Sequence, residues 1–168
     1  ELITTAQGYR FAAGVGGAVL GRGADLIIVD DPIKATDALS AAERRRVAEF
    51  YDNTLYTRLN DKRTGAIVLI MQRLHQDDLV GHVLERDDWE VVAIPAIATE
   101  DRCYQLSDDP GHVYFRRAGE VLQDSREPRP VLEQIRRSQG SLTFSAQYQQ
   151  APVPAEGNIV KREWLRFY

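Results

Sequence analysis

The chain has 168 residues, of which 43% are hydrophobic and 27% charged, as expected for about one globular domain. Its net charge of −4 does not favour a dedicated nucleic-acid-binding module, no apolar run approaches the ~20 residues that span a membrane, and Glu1–Thr5 lack the basic region of a secretory signal. A single cysteine, Cys103, excludes an internal disulfide and fits a reducing compartment.

The first segment, residues 2–23, alternates short apolar stretches with glycines. Tyr9–Ala12 and Ala18–Leu20 predict two short strands that are separated by a glycine turn. The glycine-rich stretch Gly14–Gly17 is not a phosphate-binding loop, because no Lys-Ser or Lys-Thr pair follows it. No other stretch of this sequence meets the G-x-x-x-x-G-K-[ST] pattern either.

Four apolar residues, Leu26–Val29, run directly into Asp30, Asp31 and Pro32. The apolar run predicts a strand that is buried on both faces, as in parallel sheets. Because unpaired charges are costly to bury, we expect the two acids at the carboxyl edge of the sheet, where ligands of open α/β sheets bind. In P-loop NTPases such a strand, called Walker B, carries acids for Mg²⁺ and for the attacking water. The alternative is a buried strand that ends in an Asp-Asp-Pro turn.

The next segments predict alternating helices and strands. Ser40–Glu43 has the pattern of a capping box, and helical spacing of apolar residues predicts a helix over 41–59. A second buried strand is predicted at Ala66–Met71, a helix at about 77–86, and a third strand at Trp89–Pro95. Strands that alternate with helices favour a parallel α/β sheet.

Beyond residue 100 the sequence changes character. Residues 100–130 are polar and predict irregular structure. Pro130 is expected to open a short helix that Gly140 closes, and Ser141 to cap another that runs to about Gln150.

The ordered set of motifs resembles the large subunit of the DNA-packaging terminases of tailed phages and prophages. One of these motifs alone would be weak evidence, but together they cover most of the chain except about 100–118. The segments that carry the resemblance are Gly21–Asp25 with Leu26–Asp31, Thr57–Leu59, Ile70–Leu79, Ile94–Ala96, Phe144–Pro152 and Gly157–Trp164.

The resemblance implies an ATP-driven motor that pumps double-stranded DNA into a procapsid, joined to a nuclease. Residues 1–99 would be a partial P-loop (RecA-like) ATPase core that lacks the Walker A strand. Residues 100–168 would be a small, mostly helical lid or linker that leads toward the nuclease. ATP and Mg²⁺ are the implied cofactors. The implied partners are DNA, other large-subunit copies in a ring, the small terminase subunit and the portal, with no membrane.

The resemblance also implies residue roles. Asp30 would hold Mg²⁺ and Asp31 would orient or deprotonate the attacking water; the family often has glutamate at the latter position. Gln72, in the family's coupling motif, would sense the γ-phosphate, although it could instead cap the helix expected at 77. Arg22 and Arg73 are candidate arginine fingers, with surface or structural arginines as the alternative. No zinc site is expected, since His75 and His82 would need more ligands nearby and Cys103 and His112 are not at ligand spacing.

Two other functions remain open on the sequence alone. One is a metal-dependent nuclease built on Asp30 and Asp31, which would need further acids to converge on two metals. The other is a remnant or assembly module that binds a partner without catalysis. A sheet without its Walker A strand would also have a bare edge, so we expect either that neighbouring strands close up or that a second copy fills the gap.

Overall fold

The computed structural model describes residues 2–6 and 8–154, so the predicted tail motif Gly157–Trp164 and the end of the predicted linker lie outside the described residues. The chain divides into two compact units, Glu1–Met71 and Gln72–Tyr168. None of the helices formed by the described residues is both long enough and apolar enough to cross a membrane.

The first unit is a mixed α/β structure. Its described elements are the strands β1 (Leu2–Ile3), β2 (Tyr9–Arg10), β3 (Leu26–Asp30) and β4 (Ala66–Ile70) and the helix α1 (Ala41–Phe50), which continues as a π-helical turn (Tyr51–Leu55) and a 3-10 turn (Tyr56–Arg58). β1 and β2 pair antiparallel, whereas β3 and β4 pair parallel. The expected α/β class with a parallel pair of strands is therefore confirmed.

The second unit is built mainly from short helices and one hairpin. Its described elements are α2 (Leu79–Leu84), β5 (Arg102–Gln105), β6 (Val113–Arg116), α3 (Arg129–Gln139), α4 (Ser141–Thr143) and a π-helical turn (Phe144–Tyr148). Pro130 stands in the first turn of α3 and Gly140 ends it with φ +86°, as predicted. The residue at the N-cap of α4 is also Gly140, and Ser141 is already helical, so the predicted Ser141 cap is wrong.

The sheet formed by β3 and β4 has one covered side and one exposed side. In parallel register Leu26 faces Ala66, Ile28 faces Val68 and Asp30 faces Ile70. On one side Val29 is buried, but on the other Leu26 is 53% exposed, Ile28 59%, Val68 42% and Ile70 52%. The prediction that β3 is buried on both faces is therefore wrong. We call Leu26, Ile28, Val68 and Ile70 the exposed apolar face.

The helix predicted at 41–59 is confirmed, with its helical character running from Ala41 to Arg58. The Ser40 hydroxyl accepts the Glu43 N–H at 3.4 Å, which is the first half of the predicted capping box. The second half is absent, because the Ser40 N–H donates to the Asp37 carbonyl at 3.0 Å and the Glu43 carboxylate accepts from Arg46. Only one of the orphan N–H groups of the helix start is thus satisfied by the box.

Two predicted strands do not form. Trp89–Pro95 has no ladder, since its carbonyls bond to side chains: the Tyr104 hydroxyl donates to Ala93 O at 2.8 Å and Arg116 Nη1 to Pro95 O at 2.7 Å. Ala18–Leu20 instead folds into turns, in which Val19 N–H donates to Gly17 O at 3.0 Å. A strand needs a neighbouring backbone to satisfy it, and in the described structure neither segment has one.

One hairpin was not predicted. β5 and β6 pair antiparallel, with Arg102 opposite Arg116 and Tyr104 opposite Tyr114, in the region expected to be irregular. The Tyr104 and Tyr114 rings stack with centroids 6.0 Å apart. Cross-strand aromatic pairs of this kind stabilise a hairpin even where the flanking sequence is polar.

Candidate functional site

Asp30 and Asp31 lie at the carboxyl end of the parallel pair β3–β4. Asp30 is the last residue of β3 and stands opposite Ile70, the last residue of β4. The next N–H, that of Asp31, still donates to the Ile70 carbonyl at 2.9 Å. Both acids are exposed, and neither carboxylate bonds to a residue that the structure describes. The predicted position of the acids at the end of the strand is therefore correct.

The backbone at Asp31 is strained. Its φ is +40°, in the left-handed region that aspartate tolerates better than most side chains but still at a cost. The chain leaves the ladder at this residue, and Pro32 and Ile33, which follow it, are buried. The buried residues that follow hold Asp31 in this conformation. Because of its positive φ, the Asp31 side chain does not continue the alternation of β3 side chains between the two faces of the sheet.

The pair offers a reasonable fit for Mg²⁺. This cation is commonly held by one or two carboxylates together with waters and substrate phosphates, rather than by a closed protein cage. Asp30 and Asp31 offer oxygens that have no competing partner among the described residues. Within the described residues no three acidic, histidine or cysteine side chains are grouped closely enough to hold a metal by themselves. A cation here would need ligands from a bound substrate.

Arg22 lies in the loop that leads into β3. Its guanidinium carbon sits 4.6 Å from the centroid of the Phe11 ring, a cation–π contact that holds the side chain against the first unit. The Tyr9 hydroxyl donates to the Gly23 carbonyl, so the loop is tied to β2 on the other side of Arg22. The side chain of Arg22 and the loop that carries it are therefore both held by contacts within the first unit.

The same loop is paired with the segment that follows α1. Ala24 N–H donates to Arg58 O at 2.9 Å, and Asn60 N–H donates to Ala24 O at 3.0 Å. A Cβ on Gly23 would lie 1.9 Å from Asn60 Oδ1, so any other residue here would require the Asn60 side chain to move. The structure therefore brings together Gly21–Asp25 and Thr57–Leu59, two of the segments that carry the family resemblance.

Arg73 and Asp78 lie in the second unit and form a buried ion pair. Arg73 Nε is 2.9 Å from Asp78 Oδ2, and the two side chains are 19% and 0% exposed. The carboxylate also accepts the N–H groups of Leu74, His75 and Gly81 at 3.0, 3.4 and 3.0 Å. Asp78 is thus the N-cap of α2, which excludes the alternative that Gln72 caps this helix.

Gln72 directly precedes this network. It is exposed, and its amide makes no hydrogen bond to the described residues. The neighbouring Arg73 is held at both ends: Asp78 binds its side chain, and its N–H donates to Gln150 Oε1 at 3.0 Å. The Gln72 side chain is therefore attached next to a backbone position that is held in place, and its exposed amide can contact a ligand.

Two consecutive glutamines were missed as site-forming residues. Gln149 Oε1 accepts the Ile97 N–H and its Nε2 donates to the Ile97 carbonyl, both at 2.9 Å. Gln150 Oε1 accepts the Arg73 N–H at 3.0 Å, and Gln150 Nε2 donates to the Gln147 carbonyl at 2.7 Å. In the sequence the only signal was their place in the late motif Phe144–Pro152, which gave no indication of their partners.

No protein-family model matches the chain, and no curated protein shows significant similarity to it. The resemblance to terminase large subunits therefore remains a prediction from the motifs.

Proposed function

We propose that this chain is part of the ATP-hydrolysing motor of a terminase large subunit. The observation that carries the proposal is the acidic pair at the end of β3. Asp30 and Asp31 follow a strand in parallel register with its neighbour, and their carboxylates have no competing partner among the described residues. This is the arrangement that Walker B acids need in order to act on a bound nucleotide.

Asp30 and Asp31 would have different roles in ATP hydrolysis. Asp30 is the last residue of the strand and would hold Mg²⁺ through water, since Mg²⁺ usually keeps several of its waters. Bound Mg²⁺ would supply charge compensation for the phosphate oxygens. Asp31, turned out of the strand by its positive φ, would orient the attacking water and accept its proton.

Gln72 would act as the sensor of the γ-phosphate. An amide both donates and accepts, so it can donate to a phosphate oxygen and change its hydrogen-bond partners when the phosphate leaves. Arg22 would stabilise phosphate charge in cis or in trans as an arginine finger. The ion pair with Asp78 supports a structural role for Arg73 beside the predicted finger role.

The wider assignment follows from the resemblance. Residues 1–99 would belong to a RecA-like P-loop core that includes the Walker B acids and the coupling segment, and residues 100–168 would form a lid or linker. ATP and Mg²⁺ would be the cofactors, and double-stranded DNA, further large-subunit copies, the small subunit and the portal the partners. The motor would work in the cytoplasm of a bacterial host.

The test is ATP hydrolysis with Mg²⁺ by the 168-residue chain and by a version extended at its N terminus to include a Walker A loop. Each is measured with and without Asp31→Ala, and with EDTA in place of Mg²⁺. We expect little turnover from the 168-residue sequence, because it contains no G-x-x-x-x-G-K-[ST] loop. We expect Mg²⁺-dependent turnover from the extended chain that Asp31→Ala abolishes.

Other results would point to the other functions. Binding of a partner without turnover in either form would favour the assembly module. DNA cleavage that requires Mg²⁺ and Asp30 would favour the nuclease. Turnover by the 168-residue chain at the rate of the extended form would show that the missing phosphate loop does not matter.

A further inference from the structure

We propose that Gln150 is a positioning residue for Gln72. Its amide oxygen accepts the N–H of Arg73, the residue next to Gln72, at 3.0 Å. The two residues are 77 positions apart, so the bond is a tertiary link and not part of a local turn. This inference rests on the proposed role of Gln72 in ATP hydrolysis.

The orientation of the Gln150 amide is fixed by both of its ends. Oε1 faces a backbone donor, the Arg73 N–H, and Nε2 faces a backbone acceptor, the Gln147 carbonyl, at 2.7 Å. A flipped amide would place two donors together at one end and two acceptors at the other. The network therefore determines that the oxygen points to Arg73.

The backbone of Gln150 is left-handed at the end of a helical turn, and its side chain makes this contact from there. Its φ is +56°, and of the described residues only Gln150 and Asp31 combine a side chain with a positive φ. Gln150 directly follows Gln149, the C-cap of the π-helical turn Phe144–Tyr148, and the Ala151 N–H donates to the Ser145 carbonyl at 2.9 Å. A left-handed residue at this position closes a helix, and the two bonds from Gln149 to Ile97 anchor the residue before it.

Arg73 is consequently held on two sides. Gln150 binds its N–H, and Asp78 binds its guanidinium at 2.9 Å. Gln72 can then change its direction mainly through its own side-chain rotations. Without Gln150, the peptide between Gln72 and Arg73 would lose its only described hydrogen-bond acceptor, and the amide of Gln72 would sample more directions.

The first arm of the test reads the bond itself in the 168-residue chain. Amide hydrogen exchange at Arg73 is measured by NMR in the wild type, Gln150→Glu and Gln150→Met. Both variants remove the donor to Gln147, but only Gln150→Glu keeps an acceptor for Arg73, so the pair isolates one bond. We expect Arg73 to exchange about tenfold faster in Gln150→Met than in Gln150→Glu, as for the loss of one ordinary hydrogen bond.

Gln147→Met is the matched control, because the Gln147 side chain makes no hydrogen bond to the described residues. We expect it to leave exchange at Arg73 unchanged. Equal exchange in all four proteins would overturn the proposal.

The second arm reads catalysis in the N-terminally extended chain. We expect Gln150→Met to lower kcat while KM for ATP is unchanged, and Gln150→Glu to restore part of the loss. Because Gln150 acts through Gln72, Gln150→Met should have no further effect on kcat in a Gln72→Ala background. A loss that is as large in that background as in the wild type would mean a general structural role and would overturn the proposal.

The two arms separate the proposal from the function on which it rests. An extended wild type without turnover would overturn the proposed function and the link to catalysis, whatever the exchange result. An active wild type with unchanged Arg73 exchange in Gln150→Met would overturn the positioning role alone.

Discussion

The carboxylate of Asp78 is the common acceptor for the side chain of Arg73 and for three backbone N–H groups. Arg73 Nε lies 3.0 Å from Oδ1 and 2.9 Å from Oδ2. One buried acid thus fixes both the start of α2 and the arginine that follows Gln72. A charge that is buried with this many donors is costly to disturb from either side.

Removal of Asp78 is therefore expected to be more damaging than removal of Arg73. Asp78→Ala leaves four donors without an acceptor and should lower the free energy of unfolding by about 3–5 kcal/mol. Arg73→Ala leaves three N–H groups on the carboxylate and should cost less. Urea denaturation measures both. Arg46→Ala is the control, since its pair with Glu43 is exposed and should contribute within about 0.5 kcal/mol. The reverse order of the first two losses would contradict the network described above.

Asp31→Asn is expected to separate catalysis from folding. Asparagine tolerates a positive φ as well as aspartate does, so the φ of +40° and the thermal stability should be preserved. Loss of the proton acceptor should lower ATP turnover of the N-terminally extended chain by about 10²–10⁴-fold. Asp37→Asn, a partly exposed acid of the same unit, is the control. Normal turnover in Asp31→Asn would remove Asp31 from the proposed mechanism.

Gly81→Ala should destabilise the second unit although alanine is the better helix former. A Cβ at this position of α2 would lie 1.9 Å from the Gln76 carbonyl oxygen, which is backbone and cannot rotate away. We expect a loss of about 1–3 kcal/mol from this overpacking, measured by thermal or urea unfolding. Gly14→Ala, which meets nothing within 4 Å, should be neutral or slightly stabilising. Equal stability of the two variants would show that Gln76 and α2 are not packed this closely.

Arg116 is a buried cation whose described partners are backbone carbonyls. It is 0% exposed, and Nη1 and Nη2 donate to Pro95 O and Glu120 O at 2.7 and 2.9 Å. Arg116→Ala would leave the Pro95 carbonyl without its described donor, take one of two donors from the Glu120 carbonyl, which keeps the Ala98 N–H, and should lower the free energy of unfolding by about 2–4 kcal/mol. Arg102→Ala, opposite it on the hairpin but exposed, should change it by no more than about 0.5 kcal/mol. Similar losses in the two variants would argue against the carbonyl contacts.

The same substitution should have a small effect on stability at one residue of β3 and a large effect at the next. Ile28 is 59% exposed and Val29 7%. Ile28→Thr should change the free energy of unfolding by no more than about 0.5 kcal/mol and raise solubility. Val29→Thr buries a hydroxyl and should cost about 1–3 kcal/mol. A large loss in Ile28→Thr would mean that the exposed apolar face is covered in solution.

The elements that the sequence predicted correctly are those with a local signal. β3 and β4 have unbroken apolar runs, α1 has helical spacing after Ser40, and α3 is bounded by Pro130 and Gly140. These signals arise from side chains within a few positions of one another, so one sequence is enough to read them. The position of Asp30 and Asp31 at the end of β3 follows from the same pattern.

The elements and contacts that the sequence did not predict depend on distant parts of the chain. Trp89–Pro95 has the apolar composition of a strand, but Tyr104 and Arg116 take carbonyls that a strand would need. The bonds from Gln149 and Gln150 join residues 52 and 77 positions away. A side chain that completes the backbone of a distant segment leaves no periodic pattern, so tertiary structure alone reveals it.

Gln149 uses both halves of its amide against a single peptide unit, that of Ile97. Deamidation would convert the donating nitrogen into an oxygen that faces the Ile97 carbonyl, so one attraction would become a repulsion between two acceptors. At Gln150 the same reaction would preserve the acceptor for Arg73, and the repulsion would fall on the Gln147 carbonyl, three residues back along the chain. Chemical ageing of the two adjacent glutamines should therefore act at different places: at Gln149 on the distant segment around Ile97, and at Gln150 on the local helical turn.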